Sequence, residues 1–213
     1  MQRNYFIDRT EAGALLAKEL EAYRSTDALV LAIPRGGVAV GHAVAIALDL
    51  PLDIVLAKKI GHPMNPEYAI GAVSPEAVSV EQLPDVPASY VEHEVTRIRA
   101  QMQERAHQYR GQRPPPRMKD RTLIVVDDGV ATGHTLLAIL GLLRKQQPAR
   151  IVVAMPVVPA SFVRKARIHA DEFVCLLAPH NFRAVGQFYE DFMPVENDEV
   201  VHLLNHAWRE RPS

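Results

Sequence analysis

The 213-residue chain predicts an α/β fold, a doubly wound and mainly parallel sheet in one domain. Three observations predict it. Short apolar runs recur at 28–33, 53–57, 123–127, 151–155 and 172–177, mostly with helical periodicity between them, and strands alternating with helices build parallel sheets covered on both faces. The first two runs enclose a breaking turn and a small-residue helix within about 30 residues, the size of one βαβ unit. The third run ends in two adjacent aspartates, followed by a loop of small residues and another helix.

The elements follow in order. Leu15, Leu16, Leu20 and Tyr23 recur at helical spacing and predict an opening helix over 8–23. Ala28-Leu29-Val30-Leu31-Ala32-Ile33 is a buried strand that stops at Pro34-Arg35-Gly36-Gly37, and Val38 to Leu48 suits a helix packed on a sheet. A second strand over 53–57 leads into Lys58-Lys59. Residues 60–68 are rich in Gly, Pro and Asn and read as a loop; 69–73 and 77–80 form a hairpin around Ser74-Pro75-Glu76. Val91, Val95, Ile98, Met102 and Tyr109 mark one face of a long helix capped by Ser89. The segment from Arg110 to Arg121, with three consecutive prolines, is a connector whose charge is solvated. Strand 123–127, helix 134–146, strand 151–155, a short helix near 160–168 and strand 172–177 complete the alternation. Val200, Val201, Leu204 and Trp208 predict a docking helix at 198–209.

Composition narrows the function. Apolar residues make up 48% of the chain, enough for a sizeable core, and a formal net charge of −1 argues against binding nucleic acid by charge. No apolar stretch approaches the roughly 20 residues that span a bilayer, and the first residues lack the apolar core of a signal peptide, so a cytoplasmic protein without a membrane partner is expected. The single cysteine, Cys175, lies in Phe173-Val174-Cys175-Leu176-Leu177 and reads as a core residue.

The chemistry is concentrated in Asp127-Asp128-Gly129-Val130-Ala131-Thr132-Gly133-His134-Thr135. Ligands of open parallel sheets bind beyond the carboxyl ends of strands, where two mutually repelling acids are a poor choice unless they are used. Loop amides and a helix N-terminus favour a phosphate, with hydroxyls from Thr132 and Thr135 and close backbone approach at Gly133. Carboxylates repel phosphate, so Asp127 and Asp128 suit ribose hydroxyls or a hydrated Mg²⁺. Phosphate at one end and a diol at the other describe a ribose 5-phosphate. The Gly-Lys-Ser/Thr of a Walker loop and the Gly-x-Gly-x-x-Gly of a dinucleotide fold are both missing from the sequence. An aspartyl-phosphate enzyme, whose acid pair also binds Mg²⁺, accounts less well for the threonine–glycine loop.

This run, preceded by Leu123-Ile124-Val125-Val126, resembles the 5-phosphoribosyl-1-diphosphate (PRPP) signature of type I phosphoribosyltransferases. All thirteen positions are compatible, although His134 stands where a small residue is common. The likeness extends to stand-alone phosphoribosyltransferases that share the Pro-Arg-Gly-Gly and Tyr-Glu-Asp-Phe stretches. It implies a type I phosphoribosyltransferase-like domain over 1–213, with a hood from about 178–213 and an N-terminal contribution. It further implies PRPP and a small-molecule acceptor as partners, Mg²⁺ as cofactor, and a homodimer.

Residue by residue, the resemblance makes Arg35, Gly36 and Gly37 the pyrophosphate loop, with a strained or cis peptide around Arg35-Gly36. Gly129, Val130, Ala131, Thr132, Gly133, His134 and Thr135 would hold the 5-phosphate. Asp127 and Asp128 would anchor ribose hydroxyls and the metal, directly or through water. Lys59 would contact pyrophosphate; strand alternation lets only one of Lys58 and Lys59 face the site. Residues 61–68 would be a mobile catalytic loop with His62 and Glu67 as acid–base groups, Glu67 preferred. Phe182, Phe188 and Tyr189 would hold the acceptor. A PRPP- or nucleotide-binding regulator without transferase activity, and a phosphate-ester hydrolase, stay open as other readings.

Overall fold

A computed structural model describes residues 5–210. Its centre is a five-stranded parallel sheet of β1 (Leu29–Ala32), β2 (Leu52–Ile54), β6 (Thr122–Val126), β7 (Arg150–Val157) and β8 (Glu172–Leu177), in the order β2-β1-β6-β7-β8. The period-2 alternation of the strands divides the core. Val30, Ala32, Ile124, Val126, Val152 and Ala154 face one apolar cluster, while Leu29, Leu31, Leu123, Val125, Ile151 and Val153 face another. Helices α1 (Arg9–Glu19), α2 (Gly36–Leu48) and α6 (Asn197–Glu210) cover the first face, and α4 (His134–Arg144) and α5 (Ala160–His169) cover the second. The predicted doubly wound sheet is therefore present.

Local chemistry explains the element ends. Asp8 caps α1 by accepting the Glu11 amide at 2.7 Å. Helix α6 buries Val200, Leu204, Ala207 and Trp208, and the Trp208 indole donates to Leu52 O at 2.8 Å, which pins the helix on β2. Cys175 is partly buried in β8, and burial pushes its thiol up to about 11, as expected of a packing residue. Among the described residues no helix is long and apolar enough to cross a membrane.

A small antiparallel sheet of β3 (Lys58–His62), β4 (Asn65–Val73) and β5 (Val78–Val80) stands apart from the main one. It corrects two expectations. Lys58 and Lys59 open β3 rather than close β2, and residues 60–68 are mostly strand, with a turn at Pro63-Met64. Gly and Pro mark a hairpin tip and a register shift near Gly61, not a loop. The expected hairpin around Ser74-Pro75-Glu76, β4 to β5, is present. The long helix α3 (Ala88–Arg110) starts one residue before Ser89, after Pro87, so Ser89 lies inside it. Arg110 is not solvated: it is buried, donating through Nε to Asp53 Oδ1 at 2.7 Å and through Nη2 to Ile54 O at 2.9 Å. A basic run in sequence carries no sign that one member turns inward to meet an acid 57 residues away.

Candidate active site

The chain leaves β1 for β2 in one direction and β6 for β7 in the other, so the sheet has its switch point between β1 and β6. Such a crevice at the carboxyl ends is where ligands bind in open α/β sheets. The register pairs Ala32 with Val126, and the Ile33 amide donates to Val126 O at 2.9 Å. Residues 34–37 and 127–135 must therefore emerge side by side. They pack so closely that a Cβ on Gly36 would collide with Asp128 Oδ2, and one on Gly37 would lie 2.8 Å from Asp127 Cα and 2.9 Å from Val126 O. The cis peptide in the first loop joins Pro34 to Arg35, one bond earlier than expected.

Each loop ends in a helix N-terminus. Helix α2 begins at Gly36, and α4 begins at His134 after Gly133. Gly133 has φ +78°, and a Cβ there would fall on the Phe162 ring, so both its conformation and its packing require glycine. Gly129, Val130 and Gly133 are buried, whereas Ala131, Thr132, His134 and Thr135 are exposed at the mouth. The Val130 amide donates to Val157 O at 3.1 Å and anchors the loop to β7. The first amides of α4 and the threonine hydroxyls can together receive an anion.

The acid pair is mostly out of water. Asp127 Oδ1 accepts the Asp128 amide at 2.8 Å, and Asp128 Oδ2 accepts Arg9 Nε at 2.8 Å. Burial, and then the neighbouring Asp128 charge, pushes the Asp127 carboxyl well above the usual carboxylate range. Burial also raises Asp128, but Arg9 pulls it back. The Tyr189 hydroxyl donates to Asp128 O at 2.6 Å, and burial holds that phenol far above its ordinary range.

The sequence profile of the phosphoribosyl transferase domain matches residues 7–192, which takes in both loops and the acid pair. The chain belongs to that family. It is 37% identical over 210 residues to a protein found in two strains of Mycobacterium tuberculosis, CDC 1551 and H37Rv, whose phosphoribosyl transferase name is provisional; the match covers 96% of this chain and 47% of each relative. The chain thus spans about half the length of the curated relatives it matches. Among solved structures, the protein TT1426 of Thermus thermophilus is 40% identical with a TM-score of 0.86, covering 96% of this chain and 99% of that one.

Within this phosphoribosyl transferase fold the remaining predicted residues take distinct places. Arg35 is exposed and pairs with Glu196 at 3.4 Å. Lys59 is half-buried in β3 opposite Ala72, while Lys58 is exposed and donates to Gln101 at 3.3 Å. His62 is buried and committed to its hairpin. Its Nδ1 accepts the Met64 amide at 3.2 Å, which leaves Nε2 to donate to Asp85 at 3.1 Å. Glu67 lies on β4, and its side chain is outside the described residues.

The three candidate acceptor aromatics also separate. Phe188 and Tyr189 are buried, Tyr189 against Phe6 at 5.3 Å and Phe192 at 5.0 Å. Phe182 is half-buried, stacks on Phe188 at 5.5 Å, and lines an open cavity of ≈ 730 Å³ with His180, Asn181, Arg183, Ala184 and Gln187. Reasoning from sequence misses Arg9 and Val185. From sequence Arg9 is only part of the opening helix expected over 8–23, and its pairing with Asp128, 119 positions away, reveals a place in the site. Val185 presses on Gly129, where a Cβ would meet its Cγ1 at 2.6 Å.

No group of three His, Cys, Asp or Glu side chains among the described residues is placed to hold a metal by itself. Two adjacent carboxylates nevertheless suit Mg²⁺, which keeps several waters and commonly uses one or two carboxylates together with substrate phosphates.

Proposed function

We propose that this protein is a Mg²⁺-dependent phosphoribosyltransferase that moves ribose 5-phosphate from PRPP to a nitrogenous acceptor, a nucleobase in the first instance, and releases pyrophosphate. One observation carries the reading: a partly buried acid pair flanked by two helix N-termini at the switch point of a parallel sheet. Residues 129–135 bind the 5-phosphate and spend that remote contact on orientation. Asp127 and Asp128 accept hydrogen bonds from the ribose hydroxyls and favour positive charge at C1. The 34–37 loop and Lys59 receive the diphosphate, where Arg35 adds a cation that must exchange Glu196 for the ligand. Bound to that diphosphate, and held by Asp127 and Asp128 through water, Mg²⁺ would neutralise charge on the leaving group.

The C1–O bond to diphosphate breaks with its electron pair leaving on oxygen, and an acceptor nitrogen forms the new bond to C1. Phe182, at the mouth of its cavity, offers the ring face on which a base can stack. Pyrophosphate release from PRPP with a panel of nucleobases tests the reading. Asp128→Asn should lower turnover at least about a hundredfold, as removal of a preorganised charge does, and so damage turnover more than folding, although it also costs Arg9 its ionic partner. Unchanged turnover would sink the assignment, and PRPP binding with no turnover on any acceptor would support a regulator.

A further inference from the structure

Arg9 belongs to neither loop of the donor site, yet it touches both regions that a transfer must bring together. Its Nε donates to Asp128 Oδ2 at 2.8 Å and its Nη1 to Met193 O at 2.9 Å, while its guanidinium lies 3.9 Å from the centre of the Phe192 ring. The Arg9–Asp128 contact is largely withdrawn from water, with side chains 11% and 15% exposed. Phe192 rests on Tyr189 at 5.0 Å, and the Tyr189 hydroxyl returns to Asp128 O at 2.6 Å. Contacts therefore run from the acid through Arg9 to the 181–193 segment and back to the same acid. Only a planar fork can hold two acceptors while stacking on a ring; an ammonium cannot.

We infer that Arg9 is a positioning residue that couples occupancy of the donor site at Asp128 to the order of the 181–193 segment, the hood over the acceptor. The inference rests on the reading of Asp128 as a ribose-holding acid. A ligand that engages the Asp128 carboxylate acts on the bond to Arg9, and Arg9 carries the change to Phe192 and Met193. A bound donor then completes the surface against which the acceptor packs. By linkage, an ordered hood strengthens donor binding by the same factor that the donor orders the hood.

The test uses the 213-residue chain with Mg²⁺ and PRPP, reading the calorimetric Kd and hydrogen exchange of peptides over 181–195. In the wild type, PRPP slows exchange there. Arg9→Met weakens PRPP binding roughly tenfold, a common size for such couplings, and abolishes the slowing. Arg9→Lys keeps a charge beside Asp128 but not the fork, so the slowing is lost and, by the same linkage, PRPP binding weakens about as much as in Arg9→Met. Phe192→Leu loses the slowing in the same way. Full slowing in Arg9→Lys, no slowing in the wild type, or wild-type affinity in Arg9→Met overturns the coupling. Should Arg9→Met fail to fold, Arg9→Lys and Phe192→Leu decide it. A wild type that does not bind PRPP at all refutes the donor reading itself, whereas binding with unaltered variants refutes only the coupling.

Discussion

The loops at 34–37 and 127–135, proposed to hold the donor, and the 181–193 segment, proposed as the hood, sit beside one another but are held by different forces. Residues 34–37 and 127–135 are fixed by the register of β1 on β6 and by glycines in close contact, Gly37 with the backbone of Val126 and Asp127 and Gly36, Gly129 and Gly133 with side chains. The hood is fixed by tertiary exchange: the Phe6 amide donates to Phe188 O at 2.8 Å, the Glu190 and Asp191 amides donate to Phe6 O and Ile7 O at 2.9 and 2.8 Å, and aromatic rings fill the seam. One site is thus built rigidly from the sheet, and the other is assembled from two distant parts of the chain. A phosphate always presents the same tetrahedron of oxygens, so a rigid cradle suits it. An acceptor surface made of side chains can change without disturbing the sheet.

Three changes would break or sharpen that contrast, beginning with the largest. Gly37→Ala places a Cβ against the backbone of Val126 and Asp127, where nothing flexible can give way. It should cost about 1–3 kcal/mol, the usual penalty of overpacking, in urea unfolding. A loss below about 0.5 kcal/mol would mean the loops are not rigidly wedged.

Asp127→Asn should act in the opposite sense on stability. The folded carboxyl has its pKa raised by burial, so the folded state binds this proton more tightly than the unfolded state does. The cost of ionising it is absent below the ordinary value of 3.8 and complete above the folded pKa. In metal-free buffer at pH 7–8 the variant should gain roughly 2–4 °C in Tm, equivalent to about 1 kcal/mol in a domain of this size. The gain should vanish as pH falls toward about 4, the ordinary carboxylate range. A Tm difference independent of pH would place the effect in packing rather than charge.

The smallest effect belongs to the β3–β4 hairpin. Met64 at its tip is 88% exposed, so Met64→Ser should shift stability by less than about 0.5 kcal/mol. If the hairpin closes over bound PRPP, turnover should still fall by roughly threefold to tenfold. Equal turnover would make the hairpin a static wall.

Legibility follows the range of the interactions. The five parallel strands, the alternating helices, the acid pair and the small-residue loop after it are readable because each rests on neighbours in sequence: apolar periodicity, a breaking turn, small residues before a helix. The errors share one cause. Lys58-Lys59 and residues 60–68 are misassigned from sequence because a hairpin with an irregular register looks like a loop when its partner strand is unknown. Arg110 reads as solvated because its partner Asp53 is distant in sequence.

By itself, then, the sequence determined the parallel sheet, the alternation of its strands and helices and the resemblance carried by residues 123–135, since these depend on local propensity and the period of burial. Tertiary structure alone decided that Gly36 lies against Asp128, that Arg9 neutralises that acid, and that Phe188 and Tyr189 turn inward while Phe182 lines a cavity. Those are contacts between distant parts of the chain or choices of side-chain direction, and no local pattern encodes either. The physical reason is that a buried charge or ring is placed by the partners that compensate its desolvation, and the fold supplies those partners from elsewhere in the chain.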